Sequence, residues 1–230
     1  MGSRFAFMLS IFTLVACSLG MGQDSISKIE IFGGYSLLHS GNGGLNGSAL
    51  DSVFGTPAGT FAAASNFSGW NTEIQFNANR TFGIVADLGG NYGNLFTASS
   101  GSGITGLPGG HSYAFLFGPV VSAHTGKATP FVHALFGVNR LTSSSTNSLT
   151  GVLFTSLPSV TDSAFAMALG GGLDYKVAPH FGLRLAQLDY LYTGHDMNSF
   201  ANSLFGPGTF TNLSTHENNL RFSTGVTVRF

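Results

Sequence analysis

Charged side chains are few in this chain, and their positions suggest a defined chemical role. Lysine and arginine number nine and aspartate and glutamate ten among 230 residues, so 8 % of the chain is charged, against about 25 % in a typical soluble domain. Several of these charges alternate with apolar residues, which places them together on the polar faces of predicted strands. The main candidates for a cluster of opposite charges are Glu30, Glu73, Asp87, Arg184, Arg221 and Arg229. Asp174, Asp189 and Arg140 are further candidates for the same faces.

Two kinds of chemistry are open to such a cluster. Buried charges must be compensated, so a dehydrated cluster would form an ion-pair network that plugs the space between the strands. A partly solvated cluster would instead line a narrow path for small solutes or protons. Which of the two applies depends on the width of the enclosed space, and therefore on the number of strands around it.

Catalytic and metal-binding signals are weak. His195, Asp196 and Ser199 contain a base, a carboxylate and a nucleophile, but their spacing does not require catalysis, and such residues are commonly solvated in loops. The seven histidines are scattered without a pair at metal-ligand spacing, so we expect no metal site. No glycine run opens a predicted helix, so we expect no phosphate cradle and no cofactor. The net charge of -1 gives no electrostatic footprint for nucleic acid.

The segment Leu220–Phe230 indicates which elements position the charges. Apolar residues fall on its even positions, with Thr224 as the exception, whereas Arg221 and Arg229 fall on the odd positions. A strand points alternate side chains to opposite faces, so this segment has one apolar and one polar face. A long two-faced strand leaves backbone groups open unless it is paired on both edges.

Seven further segments have strand-like patterns. With the last one, the predicted strands are Lys28–Leu38, Ser68–Ala78, Thr81–Tyr92, His111–Ser122, Ala128–Arg140, Ala164–Lys176, Phe181–Thr193 and Leu220–Phe230. Their connections alternate between long and short, as in outer-membrane barrels. Pro119 predicts a bulge or the end of regular pairing, and a change of phase near Ala186–Gln187 predicts a second bulge. In the fifth strand both faces are apolar, so its orientation is left open.

The sparse charge decides which face is outside. A soluble eight-stranded carrier would show many lysines and glutamates on its exterior, whereas here each polar face has one or two charges beside Asn, Ser, Gly and Ala. We therefore predict an all-β fold, an eight-stranded antiparallel up-and-down transmembrane β-barrel with the apolar faces toward lipid. Aromatic residues near strand ends suit the membrane interfaces; they are Tyr35, Trp70, Tyr92, Tyr113, Tyr175, Tyr190 and Tyr192.

The first 22 residues have the pattern of a signal peptide, with Arg4 before an apolar core from Phe5 to Leu19. We expect residues 1–22 to be removed and residues 23–230 to form one barrel domain. In a competing interpretation, Leu14–Cys17 resembles a lipobox and Cys17, the sole cysteine, carries a lipid. In both cases the mature chain has no disulfide.

The segments Ile29–His39, Phe115–Ser122, Thr129–Arg140 and Gly170–Thr193 resemble the small OmpA/OmpX-type outer-membrane barrels, in particular the bacterial outer membrane protein beta-barrel domain family. The resemblance implies a bacterial outer-membrane location with both termini in the periplasm, contact with outer-membrane lipid and lipopolysaccharide, and insertion by the barrel-assembly machinery. Phe230 resembles the C-terminal assembly signal that this machinery reads.

The resemblance leaves function open among three classes, because this fold hosts many activities. We favour a non-enzymatic structural or adhesin-like protein with a charge-plugged lumen. A narrow pore and a lipid A-modifying enzyme are the alternatives; in the enzyme, His195 and Ser199 would act at the outer rim with Asp196 orienting the histidine. The long loops contain apolar residues, and the sequence does not decide whether these loops are mobile or form a tip that holds an extracellular ligand. These residues are Leu50, Phe54, Phe61, Phe96, Phe154, Phe200 and Phe205.

Overall fold

The computed structural model describes residues 27–41, 47–63, 66–99, 101–104, 107, 109–145, 156–211, 213 and 216–230. The expected signal peptide and Cys17 lie outside these residues. The described chain forms two helices, α1 (Gly47–Phe54) and α2 (Met197–Phe205). Its strands are β1 (Ile29–Ser40), β2 (Phe61–Ala63), β3 (Asn66–Asn77), β4 (Phe82–Asn94), β5 (Phe96–Ala98), β6 (Gly109–Ser122), β7 (Ala128–Ser143), β8 (Val160–Lys176), β9 (Phe181–Thr193) and β10 (Glu217–Arg229).

Eight of these strands close into an antiparallel barrel. Its order is β1-β10-β9-β8-β7-β6-β4-β3, and β1 also pairs with β3 to complete the ring. The closing ladder runs from Glu30 opposite Arg229 to Ser40 opposite Asn219. This confirms the predicted eight-stranded fold, in which no strand of the barrel has an open edge. The remaining strands, β2 and β5, form a separate two-stranded sheet.

The connections divide the barrel into a turn end and a loop end. At the turn end, short connections at 78–81, 123–127 and 177–180 join neighbouring strands. The two ends of the described chain also meet there, where Ser27 Oγ donates to the Phe230 carbonyl at 2.7 Å. The four long connections lie at the loop end. The alternation of long and short connections that the sequence predicts is therefore present.

The exterior of the barrel is apolar, and its interior combines charged and polar side chains with a cluster of buried apolar ones. Outward side chains such as Phe117 and Ile84 are 66 % and 61 % exposed, whereas Arg221, between outward Leu220 and Phe222, is completely buried. In β7, where the sequence left the orientation open, Val132 faces out and Leu135 faces in. A water-soluble barrel would have the opposite arrangement. The outward apolar surface therefore forms a belt suited to contact with acyl chains.

The structure differs from the sequence-based prediction at Pro119. No bulge forms there and β6 continues to Ser122, with Pro119 opposite Ile84 of β4 in unbroken register. On the β7 side the pairing passes from Phe117 directly to Val120 without a shift. Proline cannot donate a ladder hydrogen bond, so Pro119 locally weakens the pairing of β6 with β7 without ending the strand.

The predicted bulge near Ala186–Gln187 is present in β9. Leu173 pairs with Ala186 but Asp174 pairs with Arg184, so Leu185 is an extra residue relative to β8. The register with β10 shifts at the same place. Such an insertion reverses the phase of the strand, so the residues on either side of it can point to the same face.

The long connections fold into a cap over the loop end. Helices α1 and α2 and the β2–β5 sheet pack their apolar side chains into one cluster, which includes Leu50, Phe54, Phe61, Leu95, Phe96, Leu141, Leu157, Met197, Phe200, Ala201, Leu204, Phe205 and Phe210. Six of the seven loop residues singled out in the sequence belong to this core, and Phe154 lies outside the described residues. Neither described helix is long and apolar enough to cross a bilayer.

Candidate functional site

Arg221 is the centre of one of two large ion-pair clusters in the lumen, the one closer to the loop end. Its Nη1 and Nη2 donate to the two carboxylate oxygens of Asp87 at 2.9 and 2.8 Å, and its Nε and Nη2 donate to Asp189 Oδ2 at 3.0 and 2.8 Å. His133 Nε2 lies 2.8 Å from the other oxygen of Asp189. This two-oxygen geometry is the strongest form of arginine–carboxylate pairing. A side chain from β10 thereby connects β4, β9 and, through Asp189, β7.

Arg184 forms a second cluster closer to the turn end. Its Nη1 donates to Glu73 Oε2 and Gln187 Oε1, and its Nε donates to Asp174 Oδ1 at 2.8 Å. The guanidinium plane also lies between two phenyl rings, 4.1 Å from the centroid of Phe32 and 4.4 Å from that of Phe131. Stacked aromatic faces suit the weakly hydrated guanidinium, which a lysine ammonium could not replace.

Arg229 provides the third arginine contact, next to the closing ladder. Its Nε donates to Glu30 Oε2 at 3.0 Å, and Asn77 Nδ2 donates to the other oxygen of Glu30, also at 3.0 Å. Arg229 Nη2 lies 4.0 Å from Asp174 Oδ2, which places this pair beside the Arg184 cluster. Gln187 joins the two larger clusters by donating to Glu73 and to Asp189 at 2.7 and 2.9 Å.

The six main residues predicted from the sequence all lie in this network, together with Asp174 and Asp189. Arg140 does not: it is exposed, because Asn139 occupies the inward position next to it in β7. The expectation for Arg140 was therefore wrong. His133 and Gln187 belong to the network as well, although no sequence pattern indicated them. His133 lies in the strand whose two faces are both apolar, and Gln187 points inward only because of the bulge.

The network is suited to closing the lumen. Its arginines and carboxylates are nearly all buried, and each arginine contacts a carboxylate on another strand. Removing one partner from such a pair leaves an uncompensated charge at a cost of about 3–5 kcal/mol. The arrangement therefore ties the strands together across the interior, a space that in eight-stranded barrels is just filled by side chains.

A small cavity of about 50 Å³ separates the barrel interior from the cap. Met197, Phe200, Leu95 and Leu141 of the cap cluster form part of its wall, and His195 and Asn139 are among its polar residues. This volume is enough for a few water molecules rather than for a drug-sized ligand. The described part of the cap thus lies over the loop end of the lumen, with a small, partly polar space between them.

His195 lies at the edge of this cavity, away from its neighbours in sequence. Its Nδ1 is 2.6 Å from Asp162 Oδ2 and its Nε2 is 3.0 Å from Asn139 Oδ1. Asp196 instead caps helix α2, accepting from Asn198 N and from Ser199 Oγ at 3.0 and 2.8 Å. The hydrogen bond from Ser199 is the main reason that the pKa of Asp196 lies below its ordinary value. The enzyme hypothesis required Asp196 to orient His195, and this contact is replaced by Asp162.

Within the part of the chain that the structure describes, no group of three His, Cys, Asp or Glu side chains is placed to hold a metal ion. The carboxylates of the lumen are occupied by arginine and amide donors instead. The side chains available at the two candidate sites therefore support ion pairing and hydrogen bonding.

Comparison with solved structures identifies the same architecture in outer-membrane proteins. The attachment invasion locus protein Ail of Yersinia pestis is 15 % identical over 90 % of this chain and 100 % of its own, with a TM-score of 0.51. Ail in complex with the heparin analogue sucrose octasulfate gives 16 % identity over the same shares and a TM-score of 0.50. Neisserial surface protein A gives 15 % identity, again over 90 % of this chain and 100 % of its own, and a TM-score of 0.50.

No protein-family model matches the chain, and no curated protein matches it. At these identities the structural likeness shows the fold alone. That fold is the closed eight-stranded barrel of small outer-membrane proteins, and it supports an outer-membrane location.

Proposed function

We propose that this chain, which has the fold of the small OmpA/OmpX-type outer-membrane barrels, is a non-enzymatic structural or surface-interaction protein with a closed lumen. Its termini lie in the periplasm and its cap faces the outside of the cell. The observation that carries the proposal is the continuous set of buried ion pairs around Arg221 and Arg184. Charges that already have protein partners give a passing solute little to bind.

The folded cap supports a role in surface interaction. Its apolar side chains are used internally, in contacts such as the 5.4 Å edge-to-face packing of Phe54 on Phe205. Polar residues of α1 and α2, for example Ser52 and Ser203, are left on the outside. Binding residues in proteins often lie on loops that a rigid scaffold holds in place. The barrel and its ordered, polar cap have this arrangement.

The proposal does not include a sulfated glycan as ligand, although one of the similar Ail structures is a complex with a heparin analogue. The described loop end has Arg140 as its one lysine or arginine side chain, beside the acidic residues Asp51, Asp162, Asp196 and Glu217. Polyanionic ligands require clustered cations. A neutral or weakly charged partner therefore suits this surface better.

Planar-bilayer recording tests the closed lumen. We expect the purified barrel to insert without a large, steady conductance, and Phe54→Ala to stay silent because the ion-pair network lies below the cap. A stable nanosiemens-scale open state in the wild type would contradict the plug. If that conductance were abolished by Arg221→Ala, the narrow-pore alternative would replace the present proposal.

Two further measurements separate the remaining classes. Cells that display the wild-type barrel should bind a host or matrix surface better than cells that display a variant with its cap connections shortened, if the cap holds a partner. The mass of lipid A should be the same in cells with and without the protein. A change of that mass that His195→Ala abolishes would show an enzyme.

A further inference from the structure

The cations outside the lumen are distributed unequally between the two ends of the barrel. Four of them lie at the turn end, just before β1, in a connection between strands or at the end of β8, and we call them the turn-end ring: Lys28, Arg80, Lys127 and Lys176. The described loop end has Arg140 as its one lysine or arginine. The charge pattern is thus polarised along the barrel axis.

Acidic residues are distributed in the opposite way. Of the nine that the structure describes, four lie at the loop end and five in the lumen. The one nearest the turn-end ring in sequence, Glu30, is buried and bonded to Arg229 and Asn77. The described part of the turn end is therefore a positively charged rim.

Hydrogen bonds between neighbouring connections fix this rim. Lys176 N donates to the Lys127 carbonyl at 2.7 Å, and Asn77 N donates to the Lys28 carbonyl at 2.9 Å. His124 Nδ1 lies 2.9 Å from the Arg80 carbonyl and so joins two successive turns. The backbones that carry the cations are held against one another, so the ring is part of the folded barrel.

Three of the cations lie within two residues of the edge of the apolar belt. Lys28 precedes outward Ile29, Arg80 lies two residues before outward Phe82, and Lys176 lies between outward Tyr175 and Val177. Because alternate residues of a strand face opposite sides, Lys28 and Lys176 lie on the lumen side of the rim, at the height of the belt edge. In a bilayer, a side chain just beyond the last lipid-facing apolar residue lies at the level of the headgroups. Long basic side chains at this level extend toward the phosphate groups.

The two interfaces of the belt use different anchors. The tryptophan and five of the six tyrosines lie in the loop-end half, where Tyr92 Oη is 3.4 Å from Trp70 Nε1 and 3.0 Å from Tyr113 Oη. Outward aromatic residues of the turn-end half include Tyr175, Phe76, Phe82, Phe181 and Phe230, and its polar anchors are the cations. Uncharged polar anchors serve one leaflet and positively charged anchors the other.

We infer that the turn-end ring binds the phosphate groups of anionic phospholipids in the leaflet that surrounds the turn end. This inference rests on the proposed membrane placement, under which that leaflet faces the periplasm. An acidic cell-wall polymer is a weaker candidate, because the cations are spaced around the rim at the height of the belt edge and do not form one groove. Phosphate oxygens adjoining acyl chains match both the charge of the ring and its position.

Lipid competition tests the inference. The barrel is folded into vesicles of phosphatidylglycerol and phosphatidylcholine in equal amounts, and the lipids retained on release are counted by native mass spectrometry. We expect phosphatidylglycerol to be enriched on the wild type. In Lys28→Gln/Lys127→Gln/Lys176→Gln this enrichment should fall by about tenfold or more, since each cation contributes separately to attraction at an anionic surface.

The matched control is Lys28→Arg/Lys127→Arg/Lys176→Arg, which keeps the charges and should keep the enrichment. Equal retention of both lipids by the wild type, or enrichment that survives the glutamine variant, would overturn the inference. Binding of inorganic phosphate in place of lipid, or lysine-dependent binding to purified peptidoglycan without lipid preference, would also overturn it. If the chain did not fold into these vesicles at all, the membrane placement itself would be wrong; folding into them without a preference for either lipid would refute the turn-end ring alone.

Discussion

Arg184 and Gln187 lie three residues apart on β9, yet both side chains point into the lumen, where Arg184 Nη1 donates to Gln187 Oε1. In a regular strand, residues three apart face opposite sides. The bulge at Leu185 removes this constraint and lets one strand supply two adjacent members of the network. A local backbone irregularity thus determines how the lumen is filled.

Replacing Arg184 by methionine should strongly destabilise the barrel. Glu73 and Asp174 would lose their shared partner while remaining buried, at a cost of about 3–5 kcal/mol. Arg184→Lys should recover little of this loss, because an ammonium group cannot reproduce the stacking and the paired hydrogen bonds. The measurement is urea unfolding of the barrel in vesicles, followed by the difference in gel migration between folded and boiled protein.

Arg140→Met is the matched control for Arg184. Arg140 is exposed at the loop end, so its replacement should change the free energy of unfolding by no more than about 0.5 kcal/mol. If Arg184→Met unfolded at the same urea concentration as the wild type, the ion pairs could not be important for stability.

Much of the barrel could be predicted from the sequence because local alternation determines it. The predicted strand Phe181–Thr193 has the observed bounds of β9, and the faces of Leu220–Phe230 are as expected. Alternation cannot give the partner of each charge, which depends on the stagger between strands around the closed ring. Glu30, for example, bonds to Arg229, but alternation alone places it equally with Arg184 and Arg221.

The cap could not be predicted in the same way. Phe54, Phe96 and Phe205 come from three different connections, yet their rings pack together, with centroids 6.1 Å apart for Phe54–Phe96 and 5.4 Å for Phe54–Phe205. These residues follow no strand period, so the sequence shows them only as isolated apolar residues. Their burial becomes evident when the barrel brings the connections to one end.

The neighbouring glycines of β1 should respond differently to alanine. A Cβ at Gly34 would collide with the Thr224 carbonyl of β10 and with the Phe32 ring that stacks on Arg184, whereas a Cβ at outward Gly33 would meet nothing within 4 Å. Gly34→Ala should therefore destabilise the barrel by about 1–3 kcal/mol or more, as overpacking does. Gly33→Ala should be tolerated. Parallel urea titrations of the two variants compare them directly, and equal midpoints would contradict the close approach at Gly34.

Phe54→Ala should open the cap without unfolding the barrel. Phe54 is buried and its ring centroid lies 4.9 Å from that of Phe61. Truncating a buried phenylalanine lowers the free energy of unfolding by about 3–5 kcal/mol. Here the loss affects the small cap cluster and not the barrel. Limited proteolysis should then cut the loop-end connections faster, while the difference in gel migration between folded and boiled protein is preserved. Ser52→Ala, at an exposed position of the same helix, should leave the cleavage rate unchanged; equal rates in both variants would argue against a cooperative cap.

Asp51 should make the cap sensitive to acid. Burial alone would raise the pKa of Asp51, but hydrogen bonds from Phe61 N, Gly59 N and Thr56 Oγ1 outweigh it and hold the pKa below its ordinary value. A carboxyl group whose pKa is lowered by folding stabilises the fold fully above its unfolded pKa of about 3.9. That contribution is lost as the pH falls through the lower folded pKa. Amide hydrogen exchange at Phe61 and Gly59, corrected for its intrinsic pH dependence, should show constant protection from pH 7 to 5 and weaker protection below pH 4.

Two substitutions distinguish this carboxylate from an ordinary polar contact. Asp51→Asn should already weaken the protection at pH 7, because the asparagine side chain has one acceptor oxygen, whereas the donors in the wild type bond to two carboxylate oxygens. The protection should also become nearly independent of pH, because the amide does not titrate. Asp196→Asn at the start of α2 should change little, since asparagine caps helices about as well as aspartate. Protection in Asp51→Asn that still fell below pH 4 as in the wild type would assign the acid sensitivity to another group.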